Sequence, residues 1–379
     1  MAERSLPLLG QSEDRALRIH DLVKAPENTP ESIERRTSWD ATRPATVYDT
    51  PEVLSDGRST TALTVILRTK GCHWWWSSGC TFCGYFNDTR EDVTNEDLHA
   101  QWGMAMERMD RTEGVGMLKV YTSGSLLEDR EIPLDFQATV LRTAVDRGLE
   151  LVIESRTEQL TPEKLAWATS INPSFTVAIG LEAHDDEVLR FHVNKGFTVA
   201  SWQRAVGNLR DAGLRVKTYL MFKPPFMSEG DALRCAAAWV RDVAPLSDEV
   251  SVNPMNIQRG TVIDRLHRYQ EYRPPWLWSL MDLILDVHGT LTEYDCRMIV
   301  HPTAAGKVRG AHNCGACDAE VASAIERYAV STDLAEFEGL ACTCRDQHRA
   351  ELNLDAAAPA PLGLGLRRRG SIIERLHAP

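Results

Sequence analysis

The sequence predicts an α/β protein: an incomplete (β/α)6 TIM-like barrel followed by a small C-terminal cysteine-rich metal-binding region. Three observations carry that expectation. Six short, apolar, β-branched runs alternate with helical stretches between residues 61 and 257. Each run ends in polar or charged residues, where barrels of this kind collect their functional groups. Seven of the nine cysteines fall in two tight clusters, one directly after the first run and one after residue 300.

Residues 1–60 are charged, contain proline and show no strong period, so they read as an N-terminal extension that wraps or caps the main domain. The barrel is expected over 61–300. Its first strand is "TALTVILRT" (61–69), which runs straight into a cysteine loop. A helix near 94–110 precedes "GMLKVYTSG" (116–124). A second helix near 133–147, stopped by Gly148, precedes "LELVIESR" (149–156). "FTVAIGLEA" (175–183), "LRVKTYLMF" (214–222) and "EVSVNPMNI" (249–257) complete the six. "LTEYDCRMIV" (291–300) offers a seventh strand and nothing offers an eighth, so the barrel is expected to stay open on one side. The strand ends carry the cysteine loop, Ser123-Gly124-Ser125, Glu154-Ser155-Arg156, Glu182, Lys223, and Asn253 with Asn256. A cysteine-rich region is expected over 301–350. A flexible tail is expected over 351–379, Ala/Pro/Gly-rich and then basic with Arg367, Arg368, Arg369 and Arg375.

The formal net charge of −12 repels polyanions, so any nucleic acid would need a local basic patch or a partner. The first residues are too charged for a secretory h-region, and no apolar run approaches the ~18 residues of a membrane span. A cytoplasmic protein without a membrane partner is expected. Clustered cysteine in a reducing compartment reads as metal or redox chemistry, with Cys235 and Cys296 left as core residues.

Cys72, Cys80 and Cys83 form a C-x7-C-x2-C loop. Three thiolates can hold three irons of a cubane that four cysteines normally close, which leaves one iron open to a ligand. Zinc, which prefers four ligands, fits poorly unless His73 joins. Trp74, Trp75 and Trp76 are large enough to cover such a cluster, to stack on a splayed base, or simply to pack on the barrel rim.

A strand, three cysteines with an aromatic before the last ("CTFC") and an incomplete barrel resemble the radical S-adenosylmethionine superfamily. The usual spacing there is C-x3-C-x2-C, and the first loop here is longer by four residues. "RTKGCHWWWSSGCTFCGYFND", "ESRTEQL", "GLEAHDDEVL" with "NKGFT", "YLMFKPPFMSE", "NPMNIQRGT", "YRPPWLWS" and "RGAHNCGACD" together resemble its archaeosine-biosynthesis branch. These are the archaeosine synthase β subunits, relatives of the Elongator catalytic subunit, and the likeness spans roughly 60–346. The resemblance implies a barrel of the radical SAM type with a [4Fe-4S] cluster on Cys72, Cys80 and Cys83. The open iron would chelate the amino and carboxylate groups of S-adenosylmethionine. One-electron cleavage to methionine and a 5′-deoxyadenosyl radical would follow. The radical would then take hydrogen from a lysine attached to a deazaguanine in the tRNA D-arm, and C–N cleavage would leave archaeosine. Implied partners are tRNA, a separate lysine-transferring subunit and a one-electron donor.

Ser123 and Gly124 offer a hydroxyl and close backbone to such a cofactor. Glu154 and Glu182 offer acceptors, and Arg156 offers a carboxylate clamp. Phe82 and Tyr85, flanking the last cysteine, complete the expected cofactor contacts, and no residue is assigned as catalytic. Two alternatives stand beside this reading. One is another radical tRNA modification, Elongator-like or methylthiotransferase-like. The other is a non-catalytic, metal-stapled module that binds RNA or a partner.

Cys314, Cys317, Cys342 and Cys344 supply the four thiolates of a closed zinc site, with a second iron–sulfur cluster as the alternative. His312 is a possible replacement for one member. Arg259, Arg265, His267, Arg268, Arg273, Arg297, His301, Lys307, Arg309 and His312 form the expected tRNA patch on this acidic chain.

Overall fold

The computed structural model describes residues 36–357, together with Val23 and Glu34. A sheet of eight strands follows the order of the chain: β1 (Thr46–Val53), β2 (Ser59–Ile66), β3 (Val115–Tyr121), β4 (Glu150–Glu154), β5 (Thr176–Glu182), β6 (Arg215–Phe222), β7 (Glu249–Pro254) and β8 (Arg297–Val300). β1 is antiparallel to β2, and β2 through β8 are parallel. The six expected runs are β2 to β7, and the seventh candidate supplies the short β8. β1 was not expected. It lies inside the segment read as an extension, and its sequence, TVYDTPEV, exposes most of its side chains, as suits an edge strand that tolerates proline.

The connections are helical: α1 (His73–Ser77), α2 (Asn95–Asp110), α3 (Leu134–Asp146), α4 (Pro162–Ile171), α5 (Val199–Asp211), α6 (Glu229–Val243), α7 (Val262–Arg268), α8 (Leu277–Glu293), α9 (Asp318–Ser331) and α10 (Cys344–Ala357). Thr94, Thr161, Thr198, Ser228 and Thr261 cap α2, α4, α5, α6 and α7, each hydroxyl accepting a first-turn backbone N–H. At α2 Asp97 returns a bond to the Thr94 backbone, completing a capping box. α10 continues to Ala357, into the stretch read as a flexible tail. The basic segment from Arg367 to Arg375 lies outside the described residues. Among the described residues no helix is long and apolar enough to cross a membrane.

Strand residues alternate between two environments. One set, including Leu63, Val65, Leu118, Val120, Ile153, Val177, Ile179, Val216 and Val250, packs under the helices as the main core. The other faces the barrel interior, where Ala62, Met117, Val152 and Ala178 form a small apolar cluster with Tyr121 and Tyr219 against it. Beside it that inner face carries ion pairs. Lys119 of β3 contacts Glu52 of β1, and Lys217 of β6 contacts Glu249 of β7. Arg297 of β8 lies 3.7 Å from Glu52 and 3.6 Å from Glu249, and donates to the carbonyls of Val53 (3.3 Å) and Ala329 (2.6 Å). One guanidinium thus joins the two edges of the curled sheet. Burial alone would raise Glu52, but Lys119, Lys217 and Arg297 hold its carboxyl below the ordinary range.

Candidate functional site

β2 delivers the chain to Gly71, whose left-handed backbone (φ +90°) turns it into the cysteine loop. The loop is clamped by the segment after β5. Thr81 donates to the carbonyls of Val193 through its N–H (3.0 Å) and of His192 through its hydroxyl (2.6 Å). Asn194, in the left-handed region at φ 57°, donates to Ser78 Oγ (2.9 Å) and to the Gly79 carbonyl (2.6 Å). Its own carbonyl accepts from Trp74 Nε1 at 2.8 Å. On the other side Gln258, after β7, accepts the Gly84 N–H at 2.5 Å.

Gly196 is where Trp74 meets that clamp. A Cβ there would lie 2.5 Å from the indole, and its φ of +82° disfavours any side chain. Gly196→Ala is therefore expected to destabilise the protein by about 2–4 kcal/mol. Denaturant unfolding will show it, and an unchanged midpoint would contradict the clamp.

The three thiols are half-buried and flanked by cations. Burial pushes Cys80 up to about 11 and raises Cys72 and Cys83 as well, while Arg156 and Lys195 act in the opposite sense on Cys80. Arg156 donates to Glu158 at 2.6 Å, and Lys195 donates to Glu182 at 2.9 Å. Burial works against the Arg156 charge, but Cys72 and Glu158 outweigh it. Its Nε is buried and has no hydrogen-bond partner among the described residues, an unsatisfied donor beside the cysteines. His73 turns away from the thiols: Nδ1 is 3.0 Å from Glu128, and Nε2 is 4.0 Å from Glu158. Among the described residues these three sulfurs do not gather at single-ion distances, unlike the four C-terminal ones. The ligands of a cubane sit on separate irons and stand farther apart than those of one ion. The donor set, three soft thiols with cations alongside, fits an iron–sulfur cluster better than zinc.

The remaining expected contacts surround the loop. Ser123 and Gly124 follow β3, and a Cβ on Gly124 would meet the Cys72 Cα at 2.9 Å, so glycine allows that approach. Glu131, which the sequence did not single out, fixes this turn by accepting from Thr69 Oγ1 (2.5 Å) and the Ser125 N–H (2.7 Å). Burial raises its carboxyl to about 7. Glu182 ends β5 at φ 71°, committed through one oxygen to Lys195. Phe82 is partly buried between two apolar clusters, and Tyr85 is half exposed with Gln258 nearby. Glu154 is further in, with Tyr219 beside it and Tyr121 beyond. Burial raises Glu154 to about 7.

The three tryptophans divide among the expected roles. Trp75 is buried and stacks on Phe86 at 4.7 Å, Trp74 packs under Gly196, and Trp76 is 37% exposed at the rim. Lys195, Asn194, Glu131 and Gln258 were not singled out as site residues, although "NKGFT" and "NPMNIQRGT" hold three of them.

At the C-terminal end the Sγ atoms of Cys314, Cys317, Cys342 and Cys344 lie within 4.8 Å of one another. Cys314–Cys342 is 3.7 Å and Cys317–Cys344 is 3.6 Å. Sulfurs placed ~2.3 Å from one tetrahedral ion stand ~3.8 Å apart, so the spacing matches a single zinc-sized ion. Asn313 Nδ2 donates to Cys317 Sγ (3.3 Å) and Trp278 Nε1 to Cys344 Sγ (3.2 Å). His312 is not brought in, since its Nδ1 faces the Gly310 carbonyl at 2.8 Å. Much of the expected basic patch is used internally. Arg268 and Arg309 pair with Asp264, Arg273 lies 4.0 Å over Trp276, and Arg297 is in the barrel interior, while Arg259 and Lys307 stay exposed.

No family model matches the chain. Among characterised proteins, it is 33% identical over 307 residues to the archaeosine synthase subunit beta of Methanosarcina acetivorans, covering 80% of this chain and 88% of that protein. It is 34% identical over 307 residues to the protein of the same name from Thermococcus kodakarensis, covering 79% and 94%. Among solved structures, Elp3 of Methanocaldococcus infernus superposes with a TM-score of 0.48 at 16% identity, over 65% of this chain and 61% of that one.

Proposed function

Because the chain belongs to the archaeosine synthase subunit beta family, we propose that it is a radical S-adenosylmethionine enzyme that modifies tRNA, cleaving the C–N bond of a lysine adduct on deazaguanine to leave archaeosine. The observation that carries this reading is the clamped three-cysteine loop, with Arg156 and Lys195 beside the thiols and the adjacent His73 drawn off to Glu128. Held by Cys72, Cys80 and Cys83, a [4Fe-4S] cluster with S-adenosylmethionine would supply hydrogen abstraction from the substrate.

The chain's own residues have separable tasks in this reading. Arg156, with its unsatisfied Nε, takes the cofactor's carboxylate. The backbone at Gly124 lies against Cys72, and with Ser123 before it receives the amino group. The second oxygen of Glu182 meets ribose hydroxyls, while Phe82 and Tyr85 line the mouth. Trp74 and Trp75 keep water from the loop, and exposed Trp76 offers a face to a base. The four C-terminal cysteines hold structural zinc, favoured over a second cubane by the sulfur spacing. The barrel unit begins at β1 rather than at residue 61. A lysine-transferring partner subunit, a one-electron donor and a cytoplasmic location complete the proposal.

The test is mass spectrometry of tRNA nucleosides after anaerobic incubation of reconstituted protein with reductant, cofactor and tRNA carrying the lysine adduct. Archaeosine at the expense of the adduct is the expected result. An adduct left intact while the cofactor is cleaved would overturn the substrate assignment.

A further inference from the structure

The barrel interior is not used by the reading above. Barrels of this type are ordinarily filled by layers of bulky branched side chains, whereas this one places Lys119, Lys217 and Arg297 against Glu52 and Glu249. Buried ion pairs add little stability over apolar residues of equal volume, so packing does not account for them.

The charges are also unevenly matched. Three cations face two carboxylates, which leaves this floor one positive charge in excess. Glu154 stands above it at the C-terminal end of β4, half-buried, with no cation within ion-pair distance among the described residues. The phenols of Tyr219 and Tyr121 stand beside it. A negative site above a positive floor matches the charge separation of an amino-acid head group.

We propose that Glu154 and Tyr219 bind the α-ammonium of an amino-acid arm on the substrate, with its carboxylate directed to the cationic floor at Lys217 and Arg297. This assigns Glu154 to the substrate rather than to the cofactor, and it rests on the reading that the tRNA base carries lysine. An ammonium donates three hydrogen bonds, and a carboxylate with an adjacent phenol oxygen can accept them.

Calorimetry on the full chain with cluster and S-adenosylmethionine bound tests it, using Nε-acetimidoyl-L-lysine and 6-acetimidamidohexanoate, which lacks the α-ammonium. The wild type should prefer the lysine derivative. Glu154→Gln should weaken that binding on the order of tenfold to a hundredfold, the range of a charged hydrogen bond, and leave the hexanoate and S-adenosylmethionine unaffected. Tyr219→Phe should weaken it in the same direction and by less, which keeps the test decisive should Glu154→Gln fail to fold. A wild type that binds both amidines equally, or neither, overturns the proposal. So does a Glu154→Gln variant that loses S-adenosylmethionine instead. Failure of the tRNA reading is distinguishable: the adduct would go unprocessed while the preference for the lysine derivative persisted.

Discussion

Cys80→Ala will abolish cluster assembly and cofactor cleavage, with at least a thousandfold loss of turnover on the order expected when an essential catalytic group is removed, while the protein remains folded. The reasoning begins with the thiol's surroundings. Burial raises Cys80 to about 11, so without iron it is a neutral, inert thiol, and metal binding must displace its proton. Arg156 and Lys195 favour that displacement, because both stabilise the thiolate and the net negative cluster that follows. Two cysteines cannot replace three, and His73 is held 3.0 Å from Glu128. The fold should survive, because the loop is fastened by Thr81, Asn194 and Trp74 rather than by sulfur. Iron content, visible absorbance after anaerobic reconstitution and far-ultraviolet circular dichroism measure both halves. Full iron loading or cofactor cleavage by the variant would remove the cluster from this loop.

Cys317→Ala has the second large effect, on stability. Its sulfur is buried 3.6 Å from that of Cys344, the first residue of α10. α10 buries only Cys344 and His348, so apolar packing contributes little to holding it. What fastens it is the cysteine group together with polar contacts: His348 with Ser279 Oγ at 2.8 Å, Arg345 with Asp282, Glu351, which accepts from Trp276 Nε1 at 2.8 Å, and Asp355, which accepts the Gly230 N–H at 2.8 Å. Losing the metal should therefore loosen the start of the helix. Loss of a structural metal belongs to the class of changes worth at least about 4 kcal/mol, which for a chain of this size lowers Tm by roughly 5 °C or more. Cys235→Ala, a partly buried cysteine outside either cluster, is the control and should change Tm little. Equal zinc content and Tm in Cys317→Ala and wild type would exclude a metal there.

The parallel strands were legible because each is a β-branched run bounded by turn residues, and the gathering of the four C-terminal cysteines was legible from spacing alone. β1 was not, because TVYDTPEV mixes charge and proline with apolar residues and is half-open to solvent, which gives it no two-residue hydrophobic period. α10 blurred into the tail for a related reason: a mostly polar helix whose buried residues are a cysteine and a histidine has no apolar stripe to read. The partners within the site were hidden by distance along the chain. Lys195 meets Glu182, and Gln258 reaches Gly84 across 174 residues. The ionic interior was the hardest to foresee, since Lys119 and Lys217 in mid-strand read as solvent-facing in any sequence pattern.

The bond from Arg297 to the Val53 carbonyl spans 244 residues. Closing so long a loop is entropically unfavourable until the intervening strands are already in register. That latch is therefore a late event on the folding route. A nascent chain cannot complete it until its last strand has left the ribosome.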